Sequence, residues 1–338
     1  MGSATLKITN YKNTYAYVNG DITTNITKID IARGILSIGK THWNQYLINP
    51  RRNLLDFLHY WTGLEPFLEE SPLLRFNSSF AALDTSDKSP KSYNIGMGVA
   101  RIAAERILKI PYLQHVDTLL AKGQLTVTAG TNERGDMVGL DRNNNWHVIE
   151  AKGRSRSPTT ADKKKAKDQA EKITAVNGIA PLTKNYCITH IDQISCDIYL
   201  NDPDDKPQQA MEIEVDENNF IKHYYDKIFG DLYTSKEDMT ITFLDQGIDF
   251  SLFRIDEENK NFYIGLESGI LGQLKQYNSN NSKEVFFLET RQFNFSDLNI
   301  NNLSIGIDGI LVFHDTSNLL DNNNRPTLLL DQKIKIAR

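Results

Sequence analysis

The sequence predicts a mixed α/β protein of the α+β kind, in which a helix-and-strand core is flanked by a helical N-terminal segment and a β-rich C-terminal region. Three observations lead there. An Ala-rich run at residues 98–108 has helical character, three short alternating segments separated by turn residues follow it, and a charged helical run then precedes one more alternating segment. With 338 residues the chain has room for two domains or one elaborated core. Its boundaries are read at 1–93, 94–192 and 193–338.

In the first segment, Leu54, Phe57, Leu58 and Trp61 share one face of a helix, and Pro, Ser and Asp residues near 84–90 read as a loop. The helix over 98–108 is stopped by Pro111. Residues 124–128 alternate as a first strand and 136–141 as a second. Arg142-Asn143-Asn144-Asn145 supplies turn chemistry before a third strand over 146–152, so the last two strands form a hairpin. A cap at Ser157-Pro158-Thr159-Thr160 opens a charged helix over 161–176, and 186–190 is the strand that follows. Beyond residue 195, strands are expected near 196–200, 239–243, 262–265 and 305–313, with a helix near 218–230 and Asn-rich turns such as 322–324.

Hydrophobic residues at 40% and charged residues at 24% are ordinary for a globular protein, which excludes wholesale disorder and fibrous repeats. No apolar run is long enough to cross a bilayer, the N-terminus lacks a secretory pattern, and Leu6 stands where myristoylation expects Ser or Thr. A cytoplasmic protein without a membrane partner is therefore expected. Cys187 and Cys196 fit neither a zinc knuckle nor a disulfide framework. Seven histidines show no metal-ligand spacing, and no phosphate-binding glycine loop or nucleophile elbow is present.

The net charge of −5 makes any polyanion partner depend on a local patch. Between residues 152 and 172 eight cations face three acids, a local +5, which leaves −10 for the rest of the chain. That patch adjoins the third strand, where alternation sends Glu150 and Lys152 to one face at the end of an apolar segment. Charges so placed cost several kcal/mol unless paired or ligated. Asp136 opens the neighbouring strand, and two carboxylates on adjacent strands form half of an oxygen shell suited to Mg²⁺ or Mn²⁺.

Parity separates the two aspartates of the second strand. Asp136 and Asp141 are five residues apart and point to opposite faces of a regular strand. On the face of Glu150, Asp136 would lie opposite residue 150 or 152, about 5 Å away, whereas Asp141 would be displaced by about 7–13 Å along the strand. A bulge would be needed to bring Asp141 in.

Gly135-Asp136-Met137-Val138-Gly139-Leu140 followed by Val148-Ile149-Glu150-Ala151-Lys152 resembles the PD-(D/E)XK nuclease superfamily, with Gly135 in place of the motif's Pro. The series helix, three strands, helix, strand over about residues 94–190 is similar to that family's restriction-endonuclease-like αβββαβ core. The resemblance implies Asp136, Glu150 and Lys152 as catalytic residues, and Asp136, Glu150 and the Ala151 carbonyl as ligands of Mg²⁺ or Mn²⁺. It offers Glu105 on the first helix as a further ligand, beside Asp141 from the bulged alternative, and Gln169 on the second helix as a supporting residue. Ile173 stands where exonuclease-like relatives carry Tyr. Arg154, Arg156, Lys163, Lys164, Lys165 and Lys167 are the expected nucleic-acid contacts. A rival pairing, Asp308 with Asp331-Gln332-Lys333, has only five residues after it, too few for a covering helix and strand.

The expectation is a metal-dependent nuclease hydrolysing phosphodiester bonds, with DNA the expected substrate, of a restriction, repair or phage-defence type. The alternative is a non-catalytic nucleic-acid-binding or assembly protein on the same core. Self-association is left open.

Overall fold

The computed structural model describes residues 2–38, 50–129, 134–203, 210–234, 237, 239–243, 247–255, 262–279, 302–314, 327–329 and 334–337. In chain order, the elements that position the site are β1 (Gly2–Thr9), β2 (Gly20–Ile26), α1 (Lys28–Ile38), α2 (Thr85–Leu108), β3 (Tyr112–His115), β4 (Leu125–Ala129), β5 (Met137–Leu140), β6 (Trp146–Arg154), α3 (Thr160–Ala170), β7 (Ile173–Val176), β8 (Thr183–Ile191), β9 (Cys196–Asn201), β10 (Met211–Val215) and α4 (Glu217–Phe229). A mixed sheet runs in the order β2-β1-β9-β8-β6-β5-β3. β5 is antiparallel to both of its neighbours, β3 and β6, and β8 returns parallel to β6 after α3. A smaller sheet joins β4, β10 and β7, and a second seven-stranded sheet is built from residues 239–337.

The N-terminal segment, expected to be helical, begins instead with two strands of the central sheet. In β1, buried Ala4, Leu6 and Ile8 alternate with half-exposed Ser3, Thr5 and Lys7, a period of two. β1 lies parallel to β9, so the sheet draws on both sides of the boundaries expected at 93/94 and 192/193. The strand over 124–128 forms, but it belongs to the smaller sheet; the partner of β5 in the central sheet is β3. The charged helix ends at Ala170, because Ile173-Thr174-Ala175-Val176 has the branched composition of a strand and pairs with β10.

α2 also begins earlier than expected. The residues read as a loop form its first turns, with Asp84 at the N-cap and Pro90 inside the helix, where the backbone bond to the Ser86 carbonyl is forgone. Its end follows the pattern: Lys109 adopts φ 57°, the Ile110 N–H returns to the Ala104 carbonyl, and Pro111 follows. α2 and α3 cover opposite faces of the sheet. Ala166 and Ala170 of α3 pack on Tyr186 and Ile188, which pair in register with Glu150 and Lys152. On the other face a Cβ at Gly153 would lie 1.6 Å from the Ser92 carbonyl oxygen, so the α2 backbone rests directly on β6.

Glu105, offered by the resemblance as a ligand, is elsewhere. It is 3% exposed and accepts two hydrogen bonds from Arg33 at 2.8 and 2.9 Å, with Arg101 at 3.1 Å. Burial opposes its charge, but the two guanidiniums overcome that and hold its carboxyl below the ordinary range. Asp308, the first member of the rival pairing, belongs to the same network: it receives Arg101 at 2.9 Å and the Tyr224 hydroxyl. Residues 331–333 and the turn at 322–324 lie outside the described residues. Among the described residues no helix is long and apolar enough to cross a membrane.

Removing one member of this network leaves buried charge uncompensated. Glu105→Gln is therefore expected to cost about 3–5 kcal/mol of stability in urea unfolding, and a loss below about 1 kcal/mol would show that Arg33 and Arg101 do not depend on it.

Candidate active site

The hairpin of β5 and β6 is regular from Met137↔Ile149 to Leu140↔Trp146, with no bulge. Asp141 therefore stays at the closed end, as parity requires. Its carboxylate accepts the Asn143 and Asn145 backbone N–H groups, each at 2.8 Å, and lies 3.4 Å from His147 Nε2. Burial opposes its charge, yet bonds from His147 and Asn145 hold it down at about 2. It organises the turn and does not reach Glu150.

The open end of the hairpin brings the other residues together. β5 stops at Met137 while β6 continues to Arg154, and Asp136 sits in the notch so formed. Its backbone N–H donates to Glu150 Oε2 at 3.1 Å, and its own Oδ2 accepts the Ala151 N–H at 2.9 Å. Each carboxylate is thus held by the backbone of the other's strand. Because a strand residue's N–H and C=O emerge on the same edge, the Ala151 carbonyl also faces the Asp136 side. Lys152 forms an ion pair with Glu150 Oε1. A Cβ at Gly135 would approach Val148 Cγ1 to 2.8 Å, so the residue before Asp136 lies closely against β6.

The Glu150 side chain is fully buried. Burial, and then the Asp136 charge, push its carboxyl up to about 8, with Lys152 pulling the other way. A carboxylate that resists ionisation beside a second carboxylate is a place where added positive charge is favoured. The donors are all oxygen, matching a hard divalent cation, and Asp136, Glu150 and the Ala151 carbonyl would hold it. Among the described residues no group of three His, Cys, Asp or Glu side chains gathers to hold a metal, so water and substrate oxygens would complete the shell.

The basic residues divide. Thr159 and Asp162 form a capping box at the start of α3, and Asp162 also takes Arg154 at 3.5 Å and Arg156 at 3.0 Å. Lys163 lies 4.3 Å from the centre of the Tyr199 ring on β9, and Lys167 lies 3.6 Å from Glu171. Gln169 falls on the other flank: its carbonyl oxygen is 3.9 Å from the Cβ position of Gly135, and its Oε1 is buried without a hydrogen-bond partner. One helical turn earlier, exposed Lys165 shares that flank, while Lys164 faces outward.

Four residues at the rim were given no role by the sequence reading. Tyr93 of α2 contacts His115 of β3, and Asp117 pairs with Arg134. No spacing links positions 93, 115 and 117 to 136; only the order of strands in the sheet does.

In the folded protein without divalent cations Glu150 retains a proton that the unfolded chain releases above its ordinary value of 4.5. Stability should then fall as pH rises from about 4.5 and level off past about 8, by a few kcal/mol in all. Glu150→Gln should flatten this slope in urea titrations with EDTA; an unaltered slope would assign it to other groups.

Comparison of the chain with protein-family models, with curated proteins and with solved structures gives no significant match.

Proposed function

We propose that the protein is a metal-dependent nuclease that hydrolyses phosphodiester bonds of nucleic acid, with DNA as the expected substrate. The observation that carries this reading is the reciprocal hold of Asp136 and Glu150 at the open end of the hairpin, with Lys152 against Glu150. Support also comes from the surrounding pattern. A helix, three antiparallel strands, a helix on the opposite face and a parallel fourth strand form the arrangement that the PD-(D/E)XK resemblance implies.

A divalent cation, when bound, supplies positive charge to the reacting phosphate and lowers the pKa of water. The chain does the rest. Asp136 and Glu150 are fixed by backbone N–H donors, so neither reorganises as charge develops. Lys152 emerges from the same face as Glu150 and is partly accessible, where its ammonium offsets negative charge growing on phosphorus and orients the attacking water. Gln169, whose side-chain Oε1 has no hydrogen-bond partner among the described residues, and Lys165 line the α3 side of the approach. Arg154 and Arg156 pair with Asp162 at the start of α3, beyond Lys152 on the same strand.

Incubation with linear, circular and single-stranded DNA and with RNA, in Mg²⁺, Mn²⁺ or EDTA, tests the reading; absence of metal-dependent cleavage of every substrate would remove it. Glu150→Gln, Lys152→Ala and Asp136→Asn should each lower cleavage by at least two orders of magnitude, and any two together should lose far less than the product of the single losses. Asp141→Asn should keep the activity and lower only the melting temperature. Activity at the parental level in Glu150→Gln would contradict the site.

The division of the lysines gives a second measurement. Each phosphate contact adds about −0.9 to the slope of log affinity against log salt for duplex DNA. Lys165→Gln should make that slope shallower by about one, measured by anisotropy in Ca²⁺, whereas Lys163→Gln, whose ammonium rests on Tyr199, should leave it unchanged.

A further inference from the structure

The α2 helix delivers a side chain to the carboxylate pair from the face opposite α3. Because Gly153 has no side chain, the backbone at Ser92 and Tyr93 rests on β6 one residue beyond Lys152. From there Tyr93 reaches β3, where its hydroxyl lies 3.3 Å from His115 Nε2. Asp136 lies between those two strands at this level: its N–H bonds Glu150 on one side, and its carbonyl accepts the Val116 N–H at 2.9 Å on the other. The Tyr93 ring thus passes over the end of β5 at Asp136, on the face of the sheet opposite α3, and remains 38% exposed. Burial, followed by the charges of Asp136, Glu150 and Asp117, keeps the Tyr93 phenol protonated.

The hydrogen-bond inventory fixes which way that phenol is turned. His115 Nδ1 accepts the Asp117 backbone N–H at 3.1 Å, so the neutral ring carries its proton on Nε2 and donates it to the Tyr93 oxygen. Burial keeps His115 neutral by lowering its pKa. With a lone pair occupied by His115, the phenol's own hydrogen points away from the histidine, and among the described residues it has no acceptor.

We propose that Tyr93 is a catalytic residue that donates its hydroxyl hydrogen bond to a non-bridging oxygen of the phosphate being cleaved, with His115 as the positioning residue that orients it. The inference rests on the nuclease reading. Tyr93 keeps its proton throughout: a water oxygen bonds to phosphorus and gives up a proton to solvent, the ester P–O bond breaks and its departing oxygen takes a proton from solvent, and the phenol stabilises charge on an oxygen that takes part in neither change. A fixed donor of this kind is worth about a hundredfold in rate.

Tyr93→Phe should lower kcat by about a hundredfold with KM and melting temperature unchanged. His115→Gln, whose amide still donates, should retain most of the rate that His115→Leu loses. Glu150→Gln is measured alongside. If it is inactive while Tyr93→Phe matches the parent, the tyrosine's role is overturned and the nuclease reading stands. If the parent cleaves nothing, or Glu150→Gln cleaves as well as the parent, the nuclease reading falls, and the ring-labelled protein decides the remainder. A shift of the Tyr93 Cζ resonance on adding a 5′-phosphorylated oligonucleotide in Ca²⁺ keeps the phosphate contact, and an unmoved resonance overturns it.

Discussion

Two buried guanidiniums, Arg33 and Arg101, shared between Glu105 and Asp308, tie together parts of the chain that lie far apart in sequence. Arg33 comes from α1, Arg101 and Glu105 from α2, and Asp308 from a turn of the C-terminal sheet, with Tyr224 of α4 closing the set. The network extends through Ser304, which accepts from Arg33 and donates to Asp30 at 2.6 Å. Desolvating four charges is expensive, and the arrangement is tolerable only because every partner is present. It acts as a condition on assembly: α2 reaches its place on the central sheet with its ion partners supplied by both flanking regions. The helix that carries Tyr93 is therefore positioned by residues more than two hundred positions downstream as well as by its own contact with β6.

The hairpin end follows a different electrostatic rule. In the network opposite charges are matched, whereas Asp136 and Glu150 bring two carboxyl groups together, and among the described residues Lys152 is the cation paired with them. The hydrogen bonds that hold the pair come from backbone N–H groups, which cannot rearrange without breaking the strand ends. The carboxylates are thereby kept close at a cost to the protein alone, and a bound cation would relieve it.

The local features of the site were legible because they depend on alternation. Parity separated Asp136 from Asp141, displacement along the strand favoured Asp136 as the neighbour of Glu150, and the regular pairing of β5 with β6 agrees with that choice. The α3 cap was equally local. What depended on pairing over long distances was not legible. Nothing in residues 124–128 distinguishes a neighbour of β5 from a partner of β10, and Glu105, one residue among many in an amphipathic run, carries no mark of Arg33, 72 residues away. Pro90 misled because proline signals a breaker in the middle of a helix but is far less disruptive near its start. Tyr93 and His115 became neighbours only once the sheet order was known.

The place of β1 also has a kinetic meaning. The first strand is not at an edge: it lies between β2 and β9 and runs parallel to the latter, with Thr9 and Asn201 bonded across 192 residues. During synthesis the β1–β2 pair can form at once, but its open side has no partner until some two hundred residues have been made. The backbone N–H and C=O groups on that side of β1 have no strand partner over that interval, and closing so long a loop is slow. A ribosome-bound chain thus passes through a stage with an unpaired apolar strand, where association with other nascent chains or capture by a chaperone competes with folding.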